Sequence, residues 1–174
     1  MNQSTTIAVF GTHTEAETAV RGLQKQGFDM KKLSIVGQDF HTEEQPLGFY
    51  NLGDRVKRWG KFGAFWGSIG SLLFGSLLLF VPVVGHVIVL GPLASALVEI
   101  IEGAAIGGSA GVLGGALASI GVPKDSVVRY ESALKAGRFL VVAQGSASEI
   151  EAAHAFLVRS NPIEATAHST APTK

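Results

Sequence analysis

Between Lys61 and Lys124 only His86, Glu99 and Glu102 are ionisable, while both flanks carry ordinary charge density. A continuous block from Phe62 to Val122 therefore has to be buried, in lipid or in protein. Its first arm ends LLFGSLLLFVPVV, its second begins LASALVEIIEG, and GHVIVLGP lies between them. Each arm exceeds the roughly 18 to 20 apolar residues that suggest a membrane span. Glycines and prolines bracket Val83 to Leu90, which reads as a tight apolar connection. The block is thus expected to be a helical hairpin.

Glycine spacing sharpens that expectation. Gly103, Gly107, Gly111 and Gly115 recur every fourth residue, with Gly108 and Gly114 beside them. Positions four apart form one slowly drifting stripe on a helix. The first arm carries a matching series at Gly63, Gly67 and Gly70. Glycine inside a water-exposed helix costs about 1 kcal/mol relative to alanine, so a row of them needs a reason. Close approach of two backbones supplies one. A flexible linker is the other reading, but Leu, Ile, Val and Phe fill the gaps. Glu99 continues the second stripe and is expected to face a helix partner, buried, with Glu102 about 60° round. The alternative puts both acids near a membrane interface. Ahead of the block, Arg55, Lys57, Arg58, Trp59 and Lys61 have the character of an interfacial anchor on the cytoplasmic side. Basic Lys124 and Arg129 follow its end, which places both termini in the cytoplasm.

The flanks read as ordinary globular protein. Thr6 to Phe10 is a β-branched strand. A helix follows over Glu15 to Gln26, with Thr14 and Glu17 at capping-box spacing, and then a strand over Leu33 to Val36. After the block come an amphipathic helix over Lys124 to Ala136, a strand over Phe139 to Ala143 and a helix over Glu149 to Arg159. Ser146 and Ser148 are its cap candidates. Ile163 to Ala167 is an edge strand, and the tail from His168 has no core. Two βαβ units side by side make an α+β, ferredoxin-like sandwich. The domain reading is residues 5–53 and 123–168 for the two halves of the frame, 54–122 for the inserted hairpin and 169–174 for a disordered tail.

Several stretches now match a known pattern. SIVGQDF, GFYNLGDRVKRWGKFGAFWG, GVPKDSVVRYESALKAGRFLVV and the glycine row between them resemble the bacterial general stress protein (YflT-like) family. The resemblance runs from Ile7 to about Leu157, and Tyr50 to Arg55 with Trp59, Gly60 and Lys61 is its most specific tract. It implies a stress-associated, membrane-associated protein and carries no catalytic residues with it.

Little in the chain suggests chemistry. There are 14 acidic and 14 basic residues, so net charge gives no argument for nucleic acid. There is no cysteine for a disulfide, nucleophile or thiolate metal site. The five histidines show no spacing that places two on one helix face for a metal. The run Gly103 to Gly108 lacks the preceding strand and free helix N-terminus of a phosphate loop. The first residues lack a basic segment followed by an apolar one, so no signal peptide is expected. No enzyme, cofactor or metal is expected. The leading reading is a structural or adaptor protein that self-associates through its hairpin in the inner membrane. A soluble homo-oligomer whose hairpins share one core is the second reading, and an ion or small-solute pore the third. The expected partners are the lipid bilayer and copies of itself.

Overall fold

The computed structural model describes residues 4–38, 76–81, 85–103 and 112–169. Strand β1 (Ser4–Phe10) leads through Gly11 into helix α1 (His13–Lys25). Thr12, rather than Thr14, caps α1: its Oγ1 accepts from the Glu15 amide at 3.3 Å while Glu15 Oε2 accepts from the Thr12 amide at 3.1 Å. A 3-10 turn at Met30–Lys32 leads into β2 (Leu33–Gln38). The apolar block contributes β3 (Ser76–Val81), β4 (Gly85–Leu90), α2 (Pro92–Gly103) and α3 (Val112–Ser119). Then come α4 (Lys124–Lys135), β5 (Phe139–Gly145), α5 (Ala147–Arg159) and β6 (Glu164–Ser169).

The fold is α+β. Its six described strands form one sheet in the order β3-β4-β2-β5-β1-β6, antiparallel at every pairing. The four strands from outside the block lie together as β6-β1-β5-β2, with β5 inserted between β1 and β2. The block's two strands extend the sheet beyond β2.

Alternation along β1 sorts the core into two layers. Ala8 and Phe10 join Ile35, Val141 and Ala143 under Ala19, Val20 and Leu23 of α1 and Ile150, Ala153 and Leu157 of α5. Ile7 and Val9 point the other way, with Val36, Val89, Leu140 and Val142. That second face is covered by Leu93 and Leu97 of α2, Leu113 and Leu117 of α3 and Tyr130 and Leu134 of α4, all fully buried. At about 25 cal/mol per Å² of apolar surface removed from water, each such leucine contributes roughly 1.5–3 kcal/mol.

This arrangement corrects the expected all-helical hairpin within the described residues. Ser76–Val81, in the first arm, is a strand rather than a helix, and Gly85–Leu90 is its partner rather than a connection. Both are six-residue apolar runs bracketed by Gly or Pro, a pattern as compatible with a buried strand as with a helix. What decides is the open edge of β2, against which β4 pairs from Ile35 to Gln38. The second arm gives two described helices, of 12 and 8 residues, and the residues between them lie outside the described ones. Among the described residues no helix is long and apolar enough to cross a membrane.

Candidate functional site

One polar arrangement in the described structure lies along the seam between α4 and β6. Helix α4 starts after Pro123, whose extended backbone ends the preceding turn, and turns Val127, Tyr130, Ala133 and Leu134 toward the sheet. Strand β6 alternates, so Glu164, Thr166 and His168 share the face that α4 covers, opposite Val9, Ile7 and Thr5 of β1. Tyr130 is fully buried, and its hydroxyl lies 2.8 Å from His168 Nε2. Their rings meet edge to face at 6.0 Å. Toward the start of β6, Arg129 Nη1 pairs with Glu164 Oε1 at 2.9 Å, and Thr166 Oγ1 donates to the same oxygen at 3.2 Å. Thr5 Oγ1 donates to the Ile120 carbonyl at 2.8 Å, fastening β1 to the turn after α3.

The electrostatics follow from this packing. Burial holds the Tyr130 phenol above its ordinary range, and the Glu164 carboxylate adds to the rise. Burial holds the His168 imidazole below its ordinary range; the Arg129 charge adds to that, while Glu164 opposes it. The pair is therefore a protonated phenol and a neutral imidazole, and the tautomer of the imidazole sets which of the two donates. His168 is only 8 % exposed and Tyr130 not at all, so no reacting group of a substrate reaches the bond between them. The seam fastens an edge strand to a helix.

Beside it opens a shallow cleft of about 380 Å³, floored by Val9 and Ala133 and rimmed by Val128, Arg129, Ile163 and Glu164. A second polar node closes the opposite face of the sheet. Lys32 Nζ reaches both carboxylate oxygens of Glu149, at 2.8 and 3.0 Å, and Ser146 donates to Glu149 Oε2 through its amide and its hydroxyl, each at 2.9 Å. The Lys32 bond and then the Ser146 bonds bring the Glu149 carboxyl down to about 2. Among the described residues no group of three His, Asp or Glu side chains is placed to hold a metal ion.

The residues singled out from sequence fare unevenly. Gly63, Gly67, Gly70, Gly107 and Gly111, with Arg55, Lys57, Arg58, Trp59 and Lys61, lie outside the described residues. Gly103 closes α2, and Gly115 is half-buried on α3. Its neighbour Gly114 marks the close approach, since a Cβ there would stand 3.2 Å from Val127 Cγ1 of α4. Glu99 is exposed on α2 among the described residues, and Glu102 is on the same helix. His168, assigned to a coreless tail, is instead a buried strand residue. The signal for it was the alternation Glu164, Thr166, His168. His154 sits half-buried with Nδ1 2.9 Å from Thr6 Oγ1.

Comparison with known proteins adds one finding. A family model described as the heat induced stress protein YflT domain matches residues 5–79. Over those residues the chain is similar to the YflT domain. The YflT match takes in nearly all of β1, then α1 and β2, and ends inside β3, before α2 and the seam. It therefore covers the first βαβ unit and the stretch that carries Tyr50 to Lys61. No curated protein and no solved structure gives a match to the chain.

Proposed function

We propose that this YflT-like chain is a non-enzymatic protein of the stress response that works by assembling with copies of itself. In this reading the sheet order β6-β1-β5-β2, with α1 and α5 on one face, is a ferredoxin-like frame. The apolar insertion then serves as the cover of the frame's second face. The observation that carries the reading is the burial of Leu93, Leu97, Leu113 and Leu117 against that face. These side chains find within the protein the apolar surroundings that lipid would otherwise provide, which favours an assembly that needs no bilayer. The closed Tyr130–His168 pair supports a structural role for the polar seam over a catalytic one. The stress role comes from the YflT match.

Purification without detergent, with mass measured by light scattering, tests this directly. A dispersed oligomer of defined mass, released from cell membranes by alkaline carbonate, is the expected result. Retention in carbonate-washed membranes would return the block to lipid as an anchor. Ion flux through proteoliposomes would return it to lipid as a pore. A dispersed monomer would end the self-association reading.

A further inference from the structure

Three large apolar side chains stand in solvent among the described residues: Val128 at 63 %, Ile163 at 54 % and Val158 at 51 % exposed. All three flank one edge of the sheet. Ile163 immediately precedes β6, and Val128 shares the cleft beside Glu164. Val158 lies one helical turn beyond His154, whose ring touches Thr6 on the opposite face of β1. Strand β6 ends the sheet, and no described strand pairs with its outer side. Such an edge presents unpaired N–H and C=O groups to another strand.

The sequence of β6 says which strand fits. Glu164-Ala165-Thr166-Ala167-His168 runs acid, alanine, threonine, alanine, imidazole, a pattern complementary to its own reverse. We infer that β6 is the self-association edge, pairing antiparallel with β6 of a second copy about a two-fold axis at Thr166. In that register Glu164 faces the partner's His168, Ala165 faces the partner's Ala167, and the two Thr166 side chains face each other. The central Thr–Thr pair favours an antiparallel ladder and no like charges meet, while Glu164 and His168 keep their bonds to Arg129 and Tyr130. A slip of two residues either way loses the Thr–Thr pair. Because even-numbered residues pair with even-numbered ones, both α4 helices stay on the same side of the joined sheet. Val128 and Val158 then bracket the junction on its two faces, as an isologous contact requires.

The inference rests on the self-association proposed above, and the test separates the two. The chain has no cysteine, so Thr166→Cys introduces a single thiol. Opposed residues in an antiparallel pair have Cβ atoms about 4.5–5.5 Å apart, close enough for a disulfide after small adjustment. Mild oxidation should convert most Thr166→Cys protein into a covalent dimer, while Thr18→Cys, on the exposed side of α1, stays uncross-linked. Thr166→Asp, which opposes two carboxylates at the axis, should shift the protein toward monomer with an unchanged far-UV spectrum. If wild type is oligomeric but Thr166→Cys cross-links no faster than Thr18→Cys, the β6 edge is the wrong surface and self-association stands. A monomeric wild type overturns both.

Discussion

At the residue scale the two polar nodes make opposite faces of the sheet acid-sensitive in different pH ranges. His168 prefers to be neutral when folded, so the unfolded chain binds the extra proton first. The stability it contributes is complete above its ordinary pKa of 6.5 and falls as the pH drops through the lower folded value. Urea denaturation at pH 7.5 and pH 5.5 should show that loss, and His168→Gln should flatten it. Tyr130→Phe leaves the imidazole nitrogen buried without its hydroxyl partner and should cost about 1–2 kcal/mol at neutral pH. Glu149 behaves likewise at lower pH. Its contribution is present above the ordinary value of 4.5 and is lost as the pH falls toward about 2. Glu149→Gln should remove that part of the acid transition, with Lys32 left unpaired. Neither node was apparent from composition. Glu149 stood out only as a helix start, because the lysine that meets it is 117 residues away.

At the element scale, legibility followed the environment of each segment. Helices α1, α4 and α5 have one wet face and one dry face, so their apolar positions repeat with the helical period, and α1 and α5 start on capping boxes. Even there, Thr12 with Glu15 and Thr14 with Glu17 offer the same spacing, and sequence alone ranks neither. Strands β3 and β4 have no such contrast: SLLLFV and HVIVL are apolar at almost every position, which erases the period that tells a strand from a helix. A glycine records what periodicity concealed. Gly91, between β4 and α2, has φ +95°, and an added Cβ would run into the Leu33 carbonyl and stand 2.9 Å from Ser34 Oγ. That serine accepts the Leu93 amide at 3.0 Å, fixing the start of α2 over β2. Gly91→Ala should therefore destabilise the protein by about 2 kcal/mol or more, through left-handed backbone strain and the clash together. Gly27→Ala, at φ +80° with open space around it, should cost less. Comparing the two unfolding midpoints isolates the steric part.

For the whole molecule the question is whether the apolar block and the frame are one cooperative unit. The second core layer mixes Leu97 and Leu117 from the block with Ile7, Leu140 and Val142 from the frame, so they should melt together. Leu97→Ala should cost about 2–5 kcal/mol and lower a single unfolding transition followed by frame tyrosine fluorescence and far-UV signal alike. Two separated transitions would mean that the block folds apart from the frame. The sheet order carries one more implication, for how the chain is made. Strand β1 precedes the apolar block, yet its neighbours among the described strands are β5 and β6, which follow it. Translation thus delivers the whole apolar block before the strands that complete the sheet beneath it exist. Until β5 leaves the ribosome, Ile7, Val9 and the leucines that cover them have no finished layer to join. A growing chain of this kind is most aggregation-prone while the block is out and those strands are not, and the synthesis of β5 and β6 is the step that closes this sheet.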